Sequence, residues 1–373
     1  MMRVRRFVFA WLALSASTIL ALVAVECVLR LVWTPPSFRS DAPFGSSPIR
    51  TSAPLPGVSG RLVKWEYNHP FVHNGQRLRA KKNFTAALPG EFAHRVLFLG
   101  DSFTYGLGSA DDETFVERVH AALPGVEVIN GGSNGYGQRE ELAFLDTYGA
   151  ALKPGLTVLV FFWNDLEDNI RRTWPAFAVD EGGRVRRSDL SEARLRKYDP
   201  LAKREPATLV KMRRGGLDRI YLKRVLSEGL KGLRYRIVGI RPRSIQTESE
   251  KAEAWEVTEL HLDLIRRRAE EIGTRLLVVA LPDQNRVDPG AYIRGIEPLN
   301  YEVEETLSQI CARLGVDFHD LTPALRAARE SGVGPLYYYT DRHLTPAGNE
   351  IVARDLVPLI ETRLPGLAEP VRE

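Results

Sequence analysis

Between residues 95 and 321 the chain repeatedly runs through a short, mostly apolar segment and then stops at a glycine or a polar side chain. RVLFLG (95–100), VEVIN (126–130), TVLVFFW (157–163), TRLLVVAL (274–281) and VDFHDL (316–321) all have this form. Amphipathic stretches such as ETFVERVHAAL (113–123) and QREELAFLDTYGA (138–150) stand between them. A strand apolar on both faces has to be covered on both faces, and helices between successive strands supply the cover. The pattern predicts an α/β protein whose parallel sheet of about five strands lies between helical layers. Ligands of such sheets bind beyond the carboxyl ends of the strands. The residues just after each apolar run are therefore the candidates for chemistry.

In GDSFTYG (100–106), Ser102 follows the first run directly. Its hydroxyl would stand at the open end of the sheet, beside the free amides of a helix start. A serine there also serves as an ordinary helix cap. A phosphate-binding loop would need a lysine, and a nucleophile elbow would need glycine at position 104, which is Thr104. The second run ends in NGGSNGYG (130–137), whose glycines let backbone amides approach a ligand or simply make a supple loop. The third ends in FFWNDLEDN (161–169), where Asn164 is either an amide donor for a pocket or a helix cap. Near the C-terminus, in YYYTDRHLTPAGNEIVA (337–353), His343 lies two residues after Asp341 and just before the helix start Thr345-Pro346. An imidazole with a carboxylate alongside can act as an oriented base. His319 in VDFHD is the rival histidine, because it too ends a strand; His343 is preferred.

In order and location these four blocks resemble the SGNH, or GDSL-type, hydrolase superfamily, over roughly residues 95–165 and 274–360. The resemblance implies a flavodoxin-like three-layer α/β/α sandwich. It implies Ser102 as nucleophile, His343 as base and Asp341 as the acid that orients the imidazole. The oxyanion hole would be the backbone N–H groups of Ser102 and Gly135 with the side-chain amide of Asn164. Asp101 would be a structural acceptor at the turn, and neither a metal nor an organic cofactor is implied. Two positions depart from the family pattern. Phe162 stands where a glycine is usual, which narrows the pocket. Asp341-Arg342-His343 replaces the usual Asp-x-x-His, with Thr340 at the expected acid position. The shorter spacing occurs among membrane-associated relatives that acetylate exopolysaccharides.

Ahead of this domain, residues 7–25 carry no charge and are long enough to span a bilayer, behind Arg3, Arg5 and Arg6. Residues 1–33 are read as a retained signal anchor that leaves the rest of the chain extracytoplasmic, with Glu26 and Arg30 one helical turn apart. The Pro- and Ser-rich residues 34–60 read as a tether, and residues 61–365 as the hydrolase domain. A strongly basic insertion at about 168–250 interrupts the strand–helix alternation, as a solvated segment or a cap over the site. Charge is otherwise balanced, 51 Lys and Arg against 47 Asp and Glu, which argues against a nucleic-acid partner. Cys27 and Cys311 are not expected to pair.

These features point to a membrane-anchored serine esterase that removes short acyl groups, such as acetyl, from a glycan or cell-envelope substrate. One alternative is an O-acyltransferase using the same residues beside a membrane-bound acyltransferase partner. The other is a glycan-binding module without catalysis. Tyr105, Tyr136, Trp163 and Trp174 are candidates for stacking on sugar rings, whereas Phe161 belongs in the core.

Overall fold

The computed structural model describes residues 2–32, 44–45, 53–64, 66–170, 177–179, 185–187, 221–223, 225–226, 229–230, 245, 247–288, 302–339 and 341–365. Most of the basic insertion, with Trp174, lies outside the described residues.

The chain opens with helix α1 (Met2–Val32), of which Arg5–Val32 is long and apolar enough to cross a membrane or to be a signal sequence. Arg30 donates to Glu26 at 2.8 Å within it. β1 (Ser59–Val63) and β2 (Asn68–Val72) then form an antiparallel hairpin. The remaining labelled strands are β3 (His94–Gly100), β4 (Val126–Asn130), β5 (Leu156–Phe161), β6 (Arg275–Ala280) and β7 (Asp317–Asp320). They make one all-parallel sheet in the order β7-β6-β5-β3-β4, the flavodoxin-like order predicted by the resemblance.

Both faces of the sheet are covered, as its apolar strands require. Val96 and Phe98 pack on one face with Val128, Val158 and Phe115. Their alternate neighbours Leu97 and Leu99 pack on the other with Ile129, Leu159 and Phe161. That is the two-residue period of a strand buried on both sides. Helices α3 (Phe115–Ala122), α9 (Thr322–Glu330) and α10 (Pro346–Glu361) cover the first face. Helices α4 (Gln138–Phe144), α6 (Glu248–Ile272) and α8 (Val303–Leu314) cover the second. Three shorter helices, α2 (Ser102–Tyr105), α5 (Asn164–Ile170) and α7 (Gln284–Val287), each follow a strand end.

Some boundaries differ from the sequence reading. β5 stops at Phe161, because the chain turns there: Phe162 N–H donates to Asp165 Oδ2 at 3.1 Å and Asp165 N–H donates to Phe162 O at 2.9 Å. The helical stretch read over 138–150 ends as an α-helix at Phe144 and continues as a π-turn over Leu145–Gly149. Nor are residues 34–60 wholly a tether. Phe44–Gly45 pairs with Ala53–Pro54, and Phe44, Leu55 and Val58 join Leu62, Tyr67 and Phe71 of the hairpin in a small core that encloses Tyr105 and Leu107. Tyr105 is thus a core residue at the end of the short helix that begins at Ser102, and no sugar platform.

His73 joins this small core to α2. Its Nδ1–H donates to Leu55 O at 3.1 Å, so Nε2 is free to accept from the Tyr105 hydroxyl at 2.8 Å. Burial, then the Arg79 charge, hold this imidazole down to about 3, against an ordinary 6.5. A depressed value means the fold prefers the neutral ring. Its contribution to stability is complete above about pH 6.5 and is lost as the pH falls toward 3. The loss by pH 4.5 is about 2–3 kcal/mol. Urea unfolding at pH 8 and pH 4.5 measures it. A His73→Gln variant should show a fall between the two pH values smaller by roughly that amount, and an equal fall would refute the assignment.

Candidate active site

The turn after β3 is built by its sequence. Gly100 has φ +152°, and a Cβ there would run into the Thr104 side chain and Val160 O, so only glycine fits. Asp101 caps α2 by accepting Phe103 N–H at 2.8 Å. Ser102 follows as the first helical residue, beyond the carboxyl end of β3. The glycine-rich loop after β4 lies against the same helix, where a Cβ on Gly132 would come within 2.5 Å of Tyr105 N. This site lies between β3 and β5, where the order of connections reverses and such sheets form their crevice.

His343 arrives from the other end of the chain on a pinned loop. Tyr338 N–H donates to His343 O at 2.9 Å, and Arg342 between them takes a left-handed backbone with φ +70°. Thr345 caps α10 by accepting Gly348 N–H at 3.2 Å, while its hydroxyl donates to Pro335 O at 2.6 Å. So held, His343 Nδ1–H donates to Asp341 Oδ1 at 2.5 Å. The other ring nitrogen is then an acceptor, and Ser102 Oγ lies 2.8 Å from it. Ser102 Oγ approaches Asp101 Oδ2 no closer than 3.4 Å, which makes His343 the better partner. Three residues far apart in sequence therefore form one hydrogen-bonded line, able to move a proton off a hydroxyl. His319, the rival, pairs instead with Asp355 at 2.5 Å on α10 and lines no part of the cleft.

The N-terminal hairpin turn adds groups that sequence reasoning missed. Lys64 Nζ lies 3.4 Å from Asp341 Oδ2, and Asp341 N–H donates to Glu66 Oε2 at 2.8 Å. Burial pushes the Asp341 carboxyl up, but the His343 charge and hydrogen bond, with Lys64, outweigh it and hold the group at about 2. Burial and then the Asp341 charge push the Tyr67 phenol well above its usual value.

Behind Ser102 lie three buried carboxyls, Asp101, Glu141 and Asp165, each raised first by burial. Asp101 and Glu141 raise Asp165 further by their charges, and Asp101 raises Glu141. Burial so dense in acid favours protonation, which keeps negative charge from accumulating behind the serine. Asp165 Oδ2 also accepts from Gln138 Nε2 at 3.0 Å, tying the third strand end to α4.

A cleft of about 230 Å³ opens at Ser102 and His343. Phe103, Phe162 and Trp163 are its apolar walls, and Asn164, Asp283 and Arg342 are among its polar ones. The Phe162 and Phe103 rings lie tilted with centroids 4.1 Å apart, and Phe103 lies tilted against the His343 ring at 4.7 Å, so Phe162 takes its place in the aromatic wall beside the imidazole. Asn164 Nδ2 donates to Asp168 Oδ2 at 3.1 Å. Gly135, on the loop after β4 with φ +74°, does not line the cleft. Trp163 does, whereas Tyr136 is fully buried and unavailable to a sugar.

The three-layer α/β/α fold thus carries a serine, an imidazole and a carboxylate in line at its switch point, an arrangement suited to acyl chemistry. Residues 242–371 match the family described as the SGNH hydrolase-like domain of the acetyltransferase AlgX. The strand order and the quoted sequence blocks agree with this resemblance, whose match is confined to residues 242–371. Among solved structures it is similar to a mutant of Axe2, an acetyl-xylooligosaccharide esterase of Geobacillus stearothermophilus, at 15% identity over 77% of this chain and 100% of that one, TM-score 0.41. It is also similar to a lipolytic G-D-S-L family protein of Veillonella parvula, at 14% identity over 73% of this chain and 100% of that one, TM-score 0.40. Likeness at this level carries no argument about activity. Among the curated proteins nothing matches.

Proposed function

We propose that the chain is a membrane-anchored, extracytoplasmic serine esterase that takes short acyl groups, acetyl first among them, off a glycan or cell-envelope ester. The observation that carries this is the line Ser102 Oγ to His343 Nε2 at 2.8 Å and His343 Nδ1 to Asp341 at 2.5 Å. Ser102 Oγ attacks the ester carbonyl while its proton passes to His343 Nε2. Asp341 stabilises the imidazolium. The tetrahedral oxyanion is held by the Ser102 backbone N–H and the Asn164 amide, both on the cleft wall; Gly135, away from the cleft, is left out of this role. The bond to the alcohol then breaks, and His343 returns the proton to the leaving oxygen. Water, deprotonated by the same imidazole, attacks the acyl-serine and releases the acid. A cleft of about 230 Å³ is smaller than the roughly 300–1,000 Å³ of sites for drug-sized ligands, which suits a two-carbon acyl group with part of its alcohol. α1 would hold the domain at the membrane.

The family match favours a second reading, transfer of acetyl to a sugar hydroxyl, because its description names an acetyltransferase. The two differ only in which hydroxyl attacks the acyl-serine. Turnover of p-nitrophenyl acetate with and without a glycan acceptor separates them. Free acetate as the main product supports the esterase, and acetylated glycan in excess over acetate supports the transferase. Asn164→Ala should lower either turnover by about 10²–10³-fold, the usual effect of losing one oxyanion donor. A loss under threefold would remove Asn164 from that role.

A further inference from the structure

The N-terminal hairpin reaches the site from outside the α/β/α sandwich. Its turn carries Lys64, Glu66 and Tyr67, and all three address Asp341. Lys64 Nζ is 3.4 Å from Oδ2, the oxygen that His343 does not use. Glu66 accepts the Asp341 N–H at 2.8 Å. The Tyr67 ring packs on Tyr338, centroids 5.0 Å apart, three residues before Asp341. The hairpin is itself packed against Phe44, Leu55 and Val58.

The backbone bonds of the loop fix where Asp341 sits, but its side chain still has to keep one oxygen on His343 Nδ1. A carboxylate bonded at one oxygen only can rotate. A cation on the second oxygen stops the rotation and, because it offsets part of the carboxylate charge, also weakens the pull of that charge on the imidazole. We propose that Lys64 is a positioning residue for the reaction at Ser102: by gripping the second oxygen of Asp341 it orients the carboxylate toward His343 and couples the reactivity of Ser102 to the seating of the N-terminal hairpin. This inference rests on the serine reading given under Proposed function.

Other charged or titratable groups face the same pair and have to stay constant in a test. They are Glu66 on the hairpin turn, Asp101 behind Ser102, and Arg342 with Asp283 on the cleft wall. Tyr67 and Tyr338, both pushed up, stay neutral throughout the working range.

The experiment is the rate of fluorophosphonate labelling of the full-length chain in detergent, from pH 5 to 9, for wild type, Lys64→Met, Lys64→Arg and Ser102→Ala. Removing the cation leaves the full carboxylate charge on the imidazolium, so the imidazole keeps its proton to higher pH. The acid limb of the Lys64→Met profile is therefore expected to move upward by about 0.5–1 pH unit, with a several-fold lower plateau. Lys64→Arg should stay close to wild type. An unmoved limb in Lys64→Met, whatever the plateau, overturns the inference, because a merely structural lysine would lower the plateau and leave the pH dependence alone. A shift in Lys64→Arg as large as in Lys64→Met overturns it too. Equal labelling of wild type and Ser102→Ala is a different failure, that of the serine reading itself.

Discussion

Ser102→Ala is expected to lower turnover of p-nitrophenyl acetate by roughly 10⁴–10⁶-fold while leaving the fold intact. The change removes one oxygen, whose closest partner is His343 Nε2 at 2.8 Å. His343 lines the cleft, so water can replace that oxygen, and the cost in stability should stay within about 1 kcal/mol. The backbone N–H of residue 102 survives the change, so oxyanion binding persists and only the nucleophile is lost. His343→Ala should fall by a similar factor, and the double variant by little more, because the two residues act as one unit. Turnover of the Ser102→Ala protein within tenfold of wild type, with intact mass confirming the substitution, would return Ser102 to the role of a helix cap.

The sheet and the serine were legible in the sequence for the same physical reason. Strands buried on both faces must be continuously apolar, so 95–100 and 274–281 announce themselves, and their ends mark where polar side chains gather. Three of the four sequence blocks, those of Ser102, Asn164 and the Asp341/His343 pair, meet in one cleft, whereas Gly135 of the glycine-rich block does not line it. Residues 61–93 were opaque because they follow no period. Their order comes from contacts with a domain that begins later in the chain, as when Arg79 grips α2 and Lys64 reaches Asp341. No spacing rule links residue 64 to residue 341. Tyr105 and Tyr136 misled for the opposite reason: they lie within the site's motifs, but their rings fill the packing beneath the backbone that forms it. Phe162 could be recognised as a departure from the family, yet its place against Phe103 needed the fold.

Arg79 gives the second large expected effect, and it ties the opaque segment to the serine. Its side chain is 3% exposed and spends its donors on one short stretch. Nε donates to Asp111 at 2.7 Å, Nη1 to Tyr105 O at 3.1 Å and to Gly106 O at 2.6 Å, and Nη2 to Ser109 O at 2.7 Å. The guanidinium carbon also lies 4.9 Å from the Tyr105 ring centre. α2 is only one turn long and begins at Ser102, and two of the carbonyls that Arg79 holds, those of Tyr105 and Gly106, lie at its C-terminal end. Arg79→Met would leave these carbonyls buried without donors and Asp111 without its cation. The expected cost is about 3–5 kcal/mol, discounted for the partly exposed Asp111. Thermal unfolding should drop by about 10 °C. Below that transition, with the fold retained, labelling of Ser102 should still slow by about 10²-fold, because a shift of α2 by about 1 Å carries the hydroxyl off the His343 nitrogen. Arg79→Lys should rescue little, since one ammonium cannot span a carboxylate and three carbonyls arranged around a planar fork. A variant that labels at the wild-type rate would mean that α2 holds its own position, and that the N-terminal segment only covers the site it is here said to brace.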